Sequence, residues 1–337
     1  MTTVDRASAA APRNLMLLAA FAAIYLIWGS TYLAIKYAIE TVPPFLMTGV
    51  RFLIAGGVLY AWSVFRSSGS PSSANDGGSA RIWRDAFIVG ALLIVGGTAL
   101  VSWAELFVPS GITSLVLATT PLWMVLLESM STGRAPAPRV LAGVGVGLAG
   151  LTILIWPSLM SPGSGIDLLG VAALALAALT WSAGALYSRR AAVPSSAARA
   201  TGMQMLAGAV LSFAVGFARG EHQEVQLGSI TPASLLAIGY LVVAGALVGF
   251  SAYLWLMRVS TPSRVATHAY VNPVVAVLLG WAVLGETVSA RTGVAMAVIV
   301  AAVVLIVSAP GARSASASGE VAPAPRARRT RLSQHAA

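Results

Sequence analysis

Thr48-Gly49-Val50-Arg51-Phe52-Leu53 lies in the second long apolar segment of this 337-residue chain, and it returns 153 positions later as Thr201-Gly202-Met203-Gln204-Met205-Leu206. Working outward from that pair, Trp28 is matched by Trp181 and Pro109-Ser110 by Pro262-Ser263 at the same offset. Leu15 to Ser308 thus divides into two copies, each holding five apolar segments. Five is odd, so if the segments cross a membrane the second copy enters with the opposite orientation, which predicts two inverted halves around one central site.

Composition makes the membrane the solvent. The chain is 57% hydrophobic and 9% charged with a mean hydropathy of +0.82, too apolar for a soluble domain of this length. A spanning helix needs about 20 apolar residues, and ten segments meet that length: 15–38, 44–65, 85–107, 111–130, 139–157, 166–188, 199–218, 232–256, 263–284 and 289–308. The expected fold is an all-α membrane protein of ten transmembrane helices arranged as two inverted five-helix repeats. Its expected divisions are a cytoplasmic N-terminal tail (1–14), a first repeat (15–157), an external connection (158–165), a second repeat (166–308) and a basic cytoplasmic tail (309–337). Ser67–Ala80, rich in Ser and Gly, is a flexible linker inside the first repeat. Arg6 and Arg13 precede the first span as in a signal peptide, but about 24 apolar residues are too many for an h-region, and this span carries part of the repeat.

Charge sets the orientation. With the N-terminus inside, 17 of the 21 lysines and arginines fall in cytoplasmic segments, leaving Lys36, Arg219 and Arg291 outside and Arg51 within a span. The positive-inside rule therefore puts both termini in the cytoplasm. The gap after the fifth span has no Lys or Arg, in keeping with the inversion. Much of the net charge of +10 sits in the tail, on Arg313, Arg326, Arg328, Arg329 and Arg331 among Ala, Ser and Pro. That tail is expected to be disordered, and either meets anionic lipid at about 1 kcal/mol per Arg or is simply solvated. Nucleic acid is not an expected partner, and the oligomeric state, monomer or homodimer, is left open.

Cofactor chemistry finds no foothold. There is no cysteine, and His222, His268 and His335 are scattered, so neither disulfides nor a metal cluster is expected. Gly145-Val146-Gly147-Leu148-Ala149-Gly150 matches a dinucleotide-binding glycine pattern but lies inside an apolar helix with no preceding strand. Small residues there instead let the fifth span pack closely on a neighbour. No P-loop and no paired catalytic carboxylates are present, which argues against an enzyme and against ATP hydrolysis.

Several local motifs resemble one family. Trp28-Gly29-Ser30-Thr31-Tyr32, Arg51-Phe52, Val108-Pro109-Ser110-Gly111, Pro121-Leu122-Trp123, Ala269-Tyr270-Val271-Asn272-Pro273-Val274-Val275 and Gly285-Glu286 occur in an order similar to that of the EamA family of the drug/metabolite transporter superfamily, over residues 15–308. The match is closest to the branch with a glutamate late in the third span, here Glu105. The resemblance implies a ten-helix inverted-repeat carrier of the inner membrane, usually an exporter of small metabolites such as amino acids, or of drugs. The chain departs from the pattern where Gly133-Arg134 stands opposite Gly285-Glu286.

A charged side chain inside hydrocarbon costs roughly 3 kcal/mol or more unless paired or hydrated, so those that persist are candidates for function. Glu105 lies about one turn from the external end of the third span, in line with Ser102 and Thr98. It either binds a coupling proton or a substrate amine, or snorkels to the interface or holds a neighbouring helix. Arg51 lies about two turns inside the second span and is assigned as a structural charge, capping broken backbone or pairing; the other role open to it is a fork for a substrate carboxylate. Its repeat equivalent is the uncharged Gln204. His268 is either a pH-sensitive group or a neutral packing residue. Pro121 and Pro273 occupy equivalent places in the fourth and ninth spans and mark bends, moving or static. A Glu105–Arg258 ion pair is ruled out, since the topology puts them at opposite membrane faces.

The expected function is export of small organic solutes by alternating access, possible proton coupling resting on Glu105. Spans 1, 3, 4, 6, 8 and 9 line the cavity, Trp28, Tyr32 and Trp181 stack on substrate, and Asn272 and His268 hydrogen-bond it. Ser102, Thr120 and Tyr253 complete the expected contact set. The alternatives are an intramembrane enzyme acting on a lipid-linked substrate and a non-transporting membrane sensor or assembly factor.

Overall fold

The structure, a computed structural model, describes residues 3–67, 79–133, 135–160, 167–260, 265 and 267–307. Arg134, Pro262-Ser263, Arg264, most of the Ser67–Ala80 linker, most of the 158–165 connection and the basic tail lie outside the described residues, as do the side chains of Arg6, Arg13, Arg258 and Tyr270. The described residues are helical, without strands.

In chain order the helices are α1 (Thr3–Ile39), α2 (Pro44–Ser67), α3 (Ala80–Ala104), α4 (Ser110–Leu117), α5 (Thr120–Thr132), α6 (Pro138–Met160), α7 (Leu168–Ser188), α8 (Ala197–Ala218), the short α9 (Glu221–Glu224), α10 (Pro232–Met257), α11 (His268–Leu284) and α12 (Ala290–Val307). Seven stretches are long and apolar enough to cross a membrane, α4 and α5 together forming one of them. Three shorter apolar helices, Pro138–Leu154, Val271–Leu284 and Ala290–Ala302, stand where the fifth, ninth and tenth spans are expected. α1 reaches back to Thr3, into the expected tail, through the strong helix formers Ala9-Ala10-Ala11. Large apolar side chains cover the outside, Leu236 being 75% and Leu169 63% exposed, as a lipid solvent allows and water does not.

Local sequence explains the helix ends. Asp167 accepts from the Gly170 amide at 2.8 Å, and Thr231 accepts from Ser234 with Pro232 opening the helix. Gly133 and Gly285 close α5 and α11 in the left-handed region at φ 66° and 65°, which favours glycine, and they are repeat equivalents.

Glycine also sets the packing distances. A methyl group at Gly202 of α8 would stand 2.8 Å from the Tyr60 amide of α2, so these two repeat-related helices meet backbone to backbone. Gly150 of α6 lies against Ile299 of α12, where a methyl would stand 2.8 Å from Cγ1; Gly145, in the same glycine pattern, faces open space. α1 closes on α11 through Gly29 and Val275, and α7 on α3 through Gly184 and Leu93.

Two departures from regular α-helix position the site. Gly90–Ala99 within α3 and Leu241–Phe250 within α10 are π-helical, at corresponding places in the two repeats. The fourth span breaks at Ala118-Thr119, with Pro121 in the first turn of α5. Pro121 has no amide to offer the Leu117 carbonyl, and the Thr120 hydroxyl donates to it at 2.6 Å; beside it the Thr119 hydroxyl donates to Val116 at 2.6 Å and Ser182 of α7 donates to the Thr120 carbonyl at 3.1 Å. Pro273, by contrast, sits inside a continuous α11.

Candidate functional site

The π-helical stretches, the broken span and the facing parts of α1, α2, α7 and α11 surround a cavity of about 140 Å³. An aromatic cluster dominates one wall. Trp28 and Trp181 meet edge to face with centroids 5.8 Å apart, and Tyr253 lies 5.0 Å from the first and 6.0 Å from the second. His268 stands edge-on to Trp28 at 5.4 Å. Such a cluster presents ring faces and edges to a ligand while its members hold one another in place.

Each indole is seated by a glycine of the other repeat. A methyl at Gly249 would lie 2.6 Å from Trp28 Nε1, and one at Gly97 would lie 2.7 Å from the Trp181 ring. Both glycines belong to the π-helical stretches, so the same device recurs in both halves. Trp28 Nε1 donates to the Gly245 carbonyl at 3.3 Å.

Of the residues expected to touch substrate, the cavity wall brings together Trp28, Tyr32, Thr120, Trp181, Tyr253, His268 and Asn272. Several polar groups among them already have protein partners. The Thr120 hydroxyl is engaged by Leu117. The Asn272 amide, oriented so that both its ends are satisfied, donates to the carbonyls of Ile24, Tyr25 and His268 at 3.1–3.3 Å, which ties α11 to α1. His268 Nδ1 lies 2.8 Å from the Val265 carbonyl; as donor there it leaves Nε2 as the acceptor of the neutral ring.

Ser102 and Glu105 stand apart from the cavity wall. The Ser102 hydroxyl turns back to the Thr98 carbonyl at 3.1 Å, and Thr98 itself, on the wall, bonds the Leu93 carbonyl five residues earlier, in π-helical register. Glu105 caps the helix just past Ala104, its amide still bonded to the Val101 carbonyl at 3.0 Å. Its side chain is fully buried, and neither carboxylate oxygen has a hydrogen-bond partner among the described residues. Lys36 Nζ donates to the Glu105 backbone carbonyl at 2.6 Å, and Tyr32, Lys36 and Glu286 are near enough to interact with its charge.

Arg51 stands on the cavity wall and is 95% buried, and its Nε has no partner among the described residues. The guanidinium lies over the Phe52 ring at 4.9 Å from the centroid. The structural role expected for it, pairing with a neighbour or with free backbone, has no counterpart in the hydrogen bonds and ion pairs of the described residues.

Two further carboxylates fasten helix starts. Glu286, in the turn after α11, accepts from the Ser110 amide at 2.8 Å, the Ser110 hydroxyl at 2.9 Å and the Gly111 amide at 3.1 Å, closing the N-terminus of α4. Glu221 takes the Phe45 and Leu46 amides at the start of α2 in the same way, and burial pushes its carboxyl above the usual range against the pull of those donors. In the sequence Glu286 stands out through its motif and as the repeat mismatch to Arg134, where substrate or coupling is expected, and Glu221 does not stand out; a signal for the helix-closing role of the first is a carboxylate paired with a Pro-Ser-Gly helix start, an anion-binding arrangement. At the opposite end of α3, Asp85 accepts from Arg84, the Tyr187 hydroxyl and the Ala192 amide. No group of metal-ligating side chains occurs among the described residues.

With this geometry in hand, the similarities to known proteins fall into one pattern. A model of the EamA-like transporter family matches the chain twice, over residues 14–156 and 168–308. The inner membrane transporter YedA of Escherichia coli (strain K12) is 36% identical over 297 residues, 87% of this chain and 90% of that one. The transporter YoaV of Bacillus subtilis (strain 168) is 24% identical, covering 79% of this chain and 88% of its own. Protein PecM of Dickeya dadantii (strain 3937) is 23% identical, covering 83% and 88%. One solved crystal structure superposes with a TM-score of 0.61 at 26% identity, over 87% of this chain and 97% of that one. Two matched family segments, a relative at 36% identity along nearly its whole length and a shared fold lead to one conclusion: the chain belongs to the EamA-like transporter family.

Proposed function

We propose that this protein is a secondary transporter of the inner membrane that exports small organic solutes by alternating access. In this reading ten spans form two oppositely oriented halves with both termini in the cytoplasm, and the central cavity is the solute site. The observation that carries it is the seating of Trp28 and Trp181, one from each half, on Gly249 and Gly97 of the opposite half around that cavity. A site built equally from two repeats can be exposed to one side and then the other as the halves rock. Trp28, Tyr32, Trp181 and Tyr253 stack on the solute, His268 orients it, and Asn272 lines the site while holding α11 to α1.

Glu105 is the coupling group. Its burial, its unpartnered oxygens and its position behind Tyr32 support a proton or an amine as its ligand, felt through the wall. In this reading it lies toward the outer end of the third span, with Lys36 and Glu286 close enough to interact with its charge.

The test is flux across sealed vesicles holding the purified protein, with labelled amino acids, aromatic carboxylates and cationic dyes as probes. Movement above that of protein-free vesicles, reduced by Trp28→Ala and Trp181→Ala variants that still melt cooperatively, is the expected result. A protein that moves none of these probes in either direction, with or without a pH gradient, is not such a carrier.

A further inference from the structure

We propose that Arg51 binds the carboxylate of the solute, and that the solutes are small organic anions carrying one carboxylate on a single aromatic or apolar body. This rests on the cavity being the solute site, and it names the solute class.

Among the described residues that line the cavity, Arg51 is the one formally charged side chain, and no Asp or Glu joins it. A guanidinium stays protonated in proteins, so the cavity carries a fixed positive charge on a side chain that is itself almost wholly buried. An unpaired buried charge is costly, and a carboxylate arriving in the cavity removes that cost while forming charge-assisted hydrogen bonds. Glu105, which would have favoured a cation, stands behind the wall and not on it.

Geometry agrees with charge. The guanidinium lies over the Phe52 ring, and its planar fork suits a two-pronged partner. Thr31, beside it, has its hydroxyl engaged at 2.6 Å by the Trp28 carbonyl, and the Gly245 carbonyl accepts from Trp28. The Arg51 Nη2 atom packs so closely on Gly245 that a methyl there would lie 2.8 Å from it. The aromatic cluster begins at Trp28, whose indole adjoins the same glycine, so a ligand with its carboxylate on Arg51 projects its body onto Trp28, Trp181 and Tyr253. The cavity of about 140 Å³ is close to the roughly 150 Å³ that holds a benzene ring in an engineered protein core, which limits the body to about one ring in this conformation.

The experiment measures binding apart from transport. Calorimetric titration of the detergent-solubilised full-length protein uses benzoate, its uncharged isostere benzamide and the cation benzylamine. Benzoate is expected to bind roughly ten-fold or more tightly than either of the others, the size of a hydrogen-bonded charge pair. Arg51→Gln should lose that preference, and Arg51→Lys should recover part of it. Gly245→Ala keeps the charge but displaces the guanidinium, and should weaken benzoate selectively; the ligand series on unaltered protein needs no variant to fold. Equal binding of benzoate and benzamide, a preference for benzylamine, no benzoate binding through the millimolar range, or undiminished benzoate binding by folded Arg51→Gln each overturns the proposal. Vesicle flux separates it from the transport reading. Benzoate binding without flux of any probe removes the transporter and keeps the anion site, whereas flux of amines or neutral solutes without benzoate binding does the reverse.

Discussion

The indoles of Trp28 and Trp181 meet edge to face with ring planes at 87°, and the two residues are the same position in the two halves of the chain. Contact between repeat equivalents marks the place where the halves are interchangeable. Each indole is held there by a glycine of the opposite half, so the contact depends as much on Gly97 and Gly249 as on the tryptophans.

Gly97→Ala and Gly249→Ala should therefore be equally harmful. Each drives a methyl to 2.6–2.7 Å of an indole, an overpacking strain of about 1–3 kcal/mol. Solute flux and thermal stability in detergent should fall together in both variants. Gly57→Ala is the control: it faces open space in a helix, where alanine is favoured by about 0.5–1 kcal/mol. A harmless substitution at Gly97 or Gly249 would remove the glycine seats from the argument.

Glu105→Gln is expected to fold, since the amide is nearly isosteric and no hydrogen bond to the carboxylate is lost among the described residues. Flux should become insensitive to external pH while the wild type responds. The comparison is efflux from cells expressing either form, at two external pH values. If the variant tracks the wild type at both, Glu105 is not the coupling group.

Glu286→Ala removes an acceptor from two amides and a hydroxyl at the start of α4. Leaving those donors unmet should cost about 1–3 kcal/mol, seen as a lower melting temperature. Because that helix start adjoins Glu105, flux should suffer more than stability alone explains. An unchanged melting curve would show that water serves Ser110 and Gly111 equally well.

Gly150→Val should separate α6 from α12, whereas Gly145→Val, five residues away in the same glycine pattern, should be tolerated. Melting in detergent ranks the two, with a loss of about 1–3 kcal/mol at Gly150 alone. Equal losses would mean that helix propensity, not packing, governs this span.

Much of this architecture was legible from the sequence because repeats and hydrophobic length survive translation into structure directly. Trp28, Trp181, Tyr253 and Asn272 were found on their repeat positions and polar stripes, and the structure gathers them on one wall. Ser102 and Glu105, named with them from helical spacing beyond Thr98, lie past that wall, since spacing sets a face of the helix and not how far a cavity reaches along it. Nothing in GALLIVGGTA distinguishes five-residue from four-residue hydrogen bonding, since the extra residue is stabilised by neighbours such as Trp181 and Thr180 that sit far away in the chain. Arg51 was seen as a buried charge, but whether it had a partner depended on which side chains the other half brought near.

The two π-helical stretches also fix the rotational phase of everything that follows them. Over one such turn the chain takes up a residue that an α-helix would not, so the same residues wound as an uninterrupted α-helix through Gly90–Ala99 or Leu241–Phe250 would turn everything beyond by about 100°. In α10 that rotation would carry Tyr253 and Met257 off the cavity wall with no change in hydrophobicity or length. The wide hydrogen-bonded turns in these two windows are therefore as much a part of the binding site as the side chains themselves.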